Sequence, residues 1–236
     1  QREITAKLQD RAENDRTREV FVGALGHDLR NPLSAILINA EIVRRSALGD
    51  RLAEPLDRIV GSANRMARMI SDLLDFTRVR QGTLWLDRQP ADVRQITAKV
   101  IDELQTIHPG RIHADLSPVL VPVDPDRFAQ VVSNLVANAV RHGDGEAVRV
   151  RLRQESDGLV LEVHNTGSPI PAEAREGMFD PFRRSSAREG LGLGLFIVRH
   201  IVGAHGGDVQ VRSDAESGTT FRVGIPAGRD ELRPSP

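Results

Sequence analysis

The amino-acid sequence predicts an α plus α/β protein: an antiparallel two-helix hairpin followed by a mixed α/β domain. Three observations lead there. Apolar residues recur three or four apart through the first 85 or so residues, which is the spacing of a narrow helical seam. From about residue 111 onward, short alternating segments set off by Gly and Pro take over, as strands with one wet face do. Two amphipathic helical patterns lie among those strand candidates.

The first seam runs Val22, Leu25, Leu29, Leu33, Ile36, Ala40, Val43, Ala47, and the second Leu52, Leu56, Ile59, Ala63, Met66, Ile70, Leu73, Thr77. Leu48-Gly49-Asp50 reads as a short turn between them, and a short turn makes the two helices antiparallel neighbours. Two helices cannot enclose a core alone, so a second hairpin is expected against the first, giving a homodimeric four-helix bundle. Upstream, Arg11, Asp15 and Arg18 occupy the register, as in a solvated linker helix or one leading from an upstream sensor domain.

After Gln81-Gly82 the pattern changes, and Leu84-Trp85-Leu86 reads as a short extended crossing. Pro90 is expected to introduce a helix bearing Val93, Ile96, Val100, Leu104 and Ile107. Strands are expected at Arg111–Leu116 and Val119–Val123. Asp124 or Asp126 can cap a helix whose apolar face is Phe128, Val131, Val132, Leu135, Val136 and Ala139. Val148, Val150 and Leu152 alternate with arginines, and Asp157-Gly158 turns that strand back into Leu159, Leu161 and Val163. Ser168–Gly192 is a long loop, Leu195–Ala204 a helix, and Val209–Arg212 and Phe221–Ile225 are closing strands. The expected divisions are 1–86 for the linker helix and hairpin, 87–228 for the α/β domain, and 229–236 for a disordered tail.

The chain has 236 residues, with Lys+Arg 32 against Asp+Glu 33 and a formal net charge of −1. Such balance argues against a dedicated nucleic-acid binder. There is no Cys, so disulfides, thiolate zinc sites and cysteine nucleophiles are excluded. No apolar run approaches the roughly 18 residues of a membrane span, and a start at Gln1 reads as a piece of a longer protein.

His27 stands two residues from Leu25 and two from Leu29, so it points away from the seam. Asp28 follows it and can hold one ring nitrogen protonated, leaving the other as a nucleophile. Asn31 lies one turn on, on the same face, and Pro32 bends the helix locally. This stretch, FVGALGHDLRNPLSAI at Phe21–Ile36, resembles the H box of the sensor histidine kinases of two-component systems. The resemblance implies that His27 takes the γ-phosphoryl group of ATP on its distal ring nitrogen. Asp28 would then be the general base, and Asn31 would position a water for phosphatase action.

Asn134 and Asn138 lie four apart on one face of an otherwise apolar helix, followed by Arg141 and His142. An amide oxygen is a hard donor suited to Mg²⁺, and an arginine just beyond can meet phosphate. The run resembles the N box of the same family, with Asn138 at the Mg²⁺ position. Gly190, Gly192 and Gly194, with Leu193 and Leu195, open a helix without a following GK[ST]. Glycines there let backbone amides approach phosphate, and the run resembles the G2 box. Phe179–Arg184, with Phe182, resembles the F box, in a lid over the nucleotide. Gly218-Thr219-Thr220-Phe221 resembles the final glycine box.

Asn165-Thr166-Gly167-Ser168-Pro169-Ile170 stands where the family has D-x-G-x-G-I. Asn165 replaces the Asp that accepts the adenine amino group, Gly167 and Ile170 are retained, and Pro169 replaces the second Gly. An amide oxygen can accept that bond without charge, at a cost on the order of 1 kcal/mol. The resemblance covers about residues 20 to 227. It implies a Bergerat-type ATP-binding sandwich, autophosphorylation on His27 and transfer to an aspartate on the receiver domain of a response regulator. Cofactors would be ATP and Mg²⁺, and this portion would be cytoplasmic. The uncharged Asn165 leaves open a phosphatase-dominant or pseudokinase dimeric scaffold with a weakened nucleotide site.

Overall fold

The computed structural model describes residues 33–43, 53–155, 158–183 and 191–227. His27, Asp28, Asn31, the turn expected at 48–50, Asp157, Gly190 and the tail beyond 228 lie outside the described residues. The chain divides into two compact units, one of Gln1–Thr77 with Pro181–Leu193, the other of Arg78–Asp180 with Gly194–Pro236.

In the first unit, residues 33–43 (α1) and Ala53–Arg80 (α2) are helical. Pro55 sits in the first turn of α2, where its missing N–H would have no helical partner. The expected single seam on α2 is corrected by burial. Ile59, Ser62, Met66, Met69, Leu73 and Phe76 form an inner row that is buried or half-buried. Leu56, Val60, Ala63, Ala67, Ile70 and Leu74 form a second row that is exposed. Both rows alternate steps of three and four, and the expected stripe zigzagged between them. On α1, Leu33, Leu37, Ile38 and Ile42 are likewise exposed, whereas Ile36 and Val43 are half-buried.

Polar groups are buried in this unit too: Ser62 in the inner row and Asp75 beside it on α2, and Asn39 on α1. Loss of water, and then the Asp75 charge beside it, push the Asp72 carboxyl up to about 6, against a pull from Arg68.

The second unit begins with a ribbon of β1 (Gln89–Asp92) and β3 (Leu120–Val123), with Pro90 opposite Pro122. Pro90 therefore belongs to a strand rather than to a helix start. A two-stranded ribbon is all edge, where a missing N–H is tolerated. Asp92 caps α3 (Val93–Ile107), its carboxylate accepting from the N–H groups of Arg94 and Gln95. The main sheet contains β2 (Ile112–Leu116), β4 (Val148–Glu155), β5 (Gly158–Asn165), β6 (Asp208–Asp214) and β7 (Gly218–Pro226). Their order is β2-β4-β5-β7-β6. The β2–β4 pair is parallel and the others antiparallel.

Three helices cover one face of the sheet: α3, α4 (Pro125–His142) and α6 (Gly194–Ala204). A one-turn helix, α5 (Ala172–Glu176), interrupts the long loop. Phe128, Leu135, Leu161, Ile197, Ile201 and Phe221 are fully buried between the layers. Helix-facing and solvent-facing residues alternate along β4, so the sandwich has one dry face and one wet one.

Asp124 ties the start of this unit together. Its carboxylate accepts from the Arg127 N–H as the α4 cap (3.1 Å) and from the Asp87 N–H (3.0 Å). Its own N–H donates to Nε2 of buried His205 (3.0 Å), whose Nδ1 donates to the Ile201 carbonyl (2.8 Å). Those two bonds require the neutral imidazole. Burial, followed by Arg88, holds this histidine below its ordinary 6.5, although Ile201 and Asp124 pull the other way.

A depressed histidine contributes stability that is complete above the unfolded value and lost as pH falls below it. Thermal unfolding is therefore expected at lower temperature as pH drops below about 6.5. His205→Gln, whose amide oxygen can still accept from Asp124, should lose less on acidification. Equal slopes for the two proteins would contradict the assignment. Asp72 works in the opposite sense: its raised pKa means that the helical unit gains stability as pH falls through about 6.

Candidate functional site

The site grows from the end of β5. Strand alternation places Asn165 with Leu161 and Val163 on the helix-covered face, where it is 5% exposed. Its amide nitrogen donates to the Thr166 carbonyl at 2.9 Å. That leaves the amide oxygen as the group without a partner among the described residues.

Thr219 on β7 pairs with Asn165 across the sheet, and Ser213 on β6 pairs with Thr219. The two hydroxyls lie 2.7 Å apart, and Ser213 Oγ also accepts the Ile170 N–H at 2.8 Å. A single cross-strand row thus fixes the Asn165 strand end and pins the loop beyond it. Gly218 makes that close approach possible: its φ is +77°, and a Cβ there would lie 2.4 Å from the Asn165 carbonyl oxygen. Gly167 does the same toward α4. Its φ is +138°, and a Cβ would meet the His142 carbonyl oxygen at 2.9 Å.

Helix α4 supplies the two aligned amides. Asn134 Nδ2 donates to the Gly194 carbonyl at 3.5 Å, which sets the N-terminus of α6 against it. A Cβ at Gly194 would lie 3.6 Å from that amide. Leu195 follows in the first turn of α6. Asn138, one turn further along α4, is half-buried and has no hydrogen-bond partner among the described residues. The arrangement therefore offers two unspent amide oxygens, Asn138 and Asn165, and, against Asn134 one turn before Asn138, a helix N-terminus whose free N–H groups favour an anion.

Among the described residues no three His, Asp or Glu side chains gather as a metal site. The donor that fits a hard divalent ion here is the Asn138 amide oxygen, with phosphate and water able to supply the rest.

Other expected residues fall elsewhere. Thr220 has the opposite parity to Thr219, and its hydroxyl meets His164 Nδ1 at 3.0 Å on the wet face. Its side chain thus stands on the open face, opposite to that of Asn165. Arg141 and His142 end α4 and are exposed. Phe182, Gly192 and Leu193 belong to the helical unit. There Phe182 adopts a left-handed φ of 62°, a conformation that costs a bulky residue about 1–2 kcal/mol. It is held by its N–H bond to the Gly192 carbonyl (3.1 Å) and by edge-on packing against Phe76, with ring centroids 5.1 Å apart. Phe179 instead lies in the sandwich unit under the Arg199 guanidinium, 5.8 Å from its ring centroid.

Two family models match the chain. Residues 17–82 match the His Kinase A (phospho-acceptor) domain, and residues 123–229 match the histidine kinase-, DNA gyrase B- and HSP90-like ATPase domain. The chain is 37% identical to a bacteriophytochrome of Pseudomonas aeruginosa, over 95% of this chain and 32% of that protein. It is 35% identical to the probable sensor histidine kinase TcrY of Mycobacterium tuberculosis, over 99% of this chain and 51% of the relative. The chain thus spans about half the length, or less, of these curated relatives.

Among solved structures, the histidine kinase AdeS of Acinetobacter baumannii shares the fold. Its TM-score is 0.66 at 22% identity, covering 86% of this chain and 98% of its own. The mycobacterial sensor histidine kinase MprB has a TM-score of 0.54 at 27% identity, covering 59% of this chain and 97% of that one.

Proposed function

The chain belongs to the sensor histidine kinases, a family of protein-histidine kinases, as their transmitter portion, and on that premise we propose that it phosphorylates itself on His27 and passes the phosphoryl group to a response regulator. The observation that carries the reading is the pair of unspent amide oxygens, Asn138 and Asn165, with the α6 N-terminus held against Asn134 one turn before Asn138. Asn165 accepts the adenine amino group at the buried end of the site. Asn138 would hold Mg²⁺, which would supply positive charge against the phosphates. Gly194 and Leu195 supply backbone amides to the phosphates. Arg141 and His142, exposed in the last turn of α4, meet the nucleotide's outer oxygens.

In the transfer step the Nε2 lone pair of His27 bonds to the γ-phosphorus as the bond from that phosphorus to the β–γ bridging oxygen breaks. ADP leaves, and Asp28 takes the Nδ1 proton. Positioning and charge neutralisation carry most of the rate enhancement. Asn31 orients the water that later hydrolyses the phosphorylated regulator.

The exposed row Leu56, Val60, Ile70 and Leu74 on α2 supports a homodimer in which two hairpins form a four-helix bundle. A solved neighbour of the same fold is the histidine kinase ThkA in complex with the response regulator protein TrrA, with a TM-score of 0.65. That supports a receiver-domain partner for this chain. No helix among the described residues is long and apolar enough to cross a membrane, and we place this portion in the cytoplasm, downstream of a sensor domain.

Incubation with γ-labelled ATP should give acid-labile, alkali-stable label on the chain. A protein that binds nucleotide yet stays unlabelled would refute the kinase reading. Asn165→Asp tests the adenine end with two readouts. A charged acceptor is expected to tighten adenine nucleotide binding several-fold, about 1 kcal/mol. The same change replaces the donor that now meets the Thr166 carbonyl at 2.9 Å, so the nucleotide-free protein should melt earlier. Unchanged affinity would place the adenine elsewhere.

A further inference from the structure

The wet face of the sheet carries two cross-strand rows of different character. In one, Asp115, Arg151, Glu162, Arg222 and Gln210 stand side by side across all five strands. Its charges are spent on each other. Arg151 meets Asp115 and Glu162, Arg153 meets Asp115, and Arg222 meets Glu155 and Glu162. One step along the strands, the next row reads His113, Arg149, His164, Thr220, Arg212. It contains no carboxylate. Arg149, Arg212 and His113 are exposed, and none of the three has a hydrogen bond or ion pair among the described residues. The two rows line one open cleft, with Asp214 and Ser217 at the Arg212 end, where the Asp214 carboxylate is taken up by Ser217 and the Glu216 N–H.

We propose that this second row, from His113 to Arg212, docks an acidic polypeptide segment of a partner protein laid across the strands. Charge complementarity selects the partner: a self-neutralised row borders one whose arginines face solvent without an ion pair among the described residues. Span selects its form. At about 4.8 Å per strand, Arg149 and Arg212 are roughly 14 Å apart and the whole row covers roughly 19 Å. A single phosphate cannot bridge that distance, whereas carboxylates spaced along a chain can. His164 lies mid-row, and burial, then the neighbouring Arg149 charge, already hold its imidazole below the ordinary 6.5. The dry face opposite holds the nucleotide residues, so an occupant here leaves Asn138 and Asn165 open.

The test uses the whole chain without nucleotide, so its outcome is independent of whether His27 is phosphorylated. A fluorescein-labelled octaglutamate peptide is titrated by anisotropy at low salt, with octaglutamine as its uncharged counterpart. The expected result is binding of the glutamate peptide alone, with a shift of the His164 ring resonances. Arg149→Gln/Arg212→Gln should weaken binding at least about tenfold, while Arg94→Gln/Lys99→Gln, an equal charge change on α3, should leave it nearly intact. Equal losses in the two double variants, an unmoved His164 signal, or displacement by an equimolar amount of inorganic phosphate would each overturn the proposal.

Discussion

Asn138→Ala is expected to lower autophosphorylation by about two to three orders of magnitude while the melting temperature stays within about a degree of wild type. Asn138 is half-buried yet holds no hydrogen bond among the described residues, so its removal breaks nothing in the fold. Alanine is also the better helix former. The loss would fall on the phosphate end of the nucleotide, where the metal's charge would no longer be anchored. Asn138→Asp keeps an oxygen donor at the same place and should recover part of the rate. Should alanine phosphorylate at the wild-type rate, the metal would have to be held by other donors.

His27→Gln is expected to abolish the acid-labile label altogether. Glutamine keeps a polar group of similar size, but its amide nitrogen has no free lone pair to attack phosphorus. Nucleotide-induced thermal stabilisation and dimer size should both survive, because neither depends on the imidazole. Residual label of the same chemical lability would move the phosphoacceptor to another histidine of the seven in the chain.

Much of this site was legible because its parts are local. Asn134 and Asn138 sit one turn apart on an apolar helix, and the wet alternation of β4 is written in its arginines. Helix starts were legible where a cap is a side chain, as at Asp124. What escaped was relational. Ser213 supports Thr219 and Ile170 only once the register of β6 against β7 is known. Thr219 and Thr220 are neighbours in the chain but face opposite ways, which alternation alone could have indicated had the strand's inner face been identified first. Strand β1 carries a proline and almost no apolar pattern, so nothing local marks it. The two rows of α2 were merged because steps of three and four fit either row, and only burial separates them. Phe76 was missed for a similar reason, since its partner Phe182 is remote in sequence.

The uncovered row on α2 has a thermodynamic consequence. Leu56, Val60, Ile70 and Leu74 are 46%, 57%, 46% and 52% exposed in a single chain. If a second chain covers them, mass action enters the folding equilibrium of the helices: each tenfold dilution shifts it by about 1.4 kcal/mol toward separated chains. How many copies a cell makes would then help set how much of the transmitter is assembled at all.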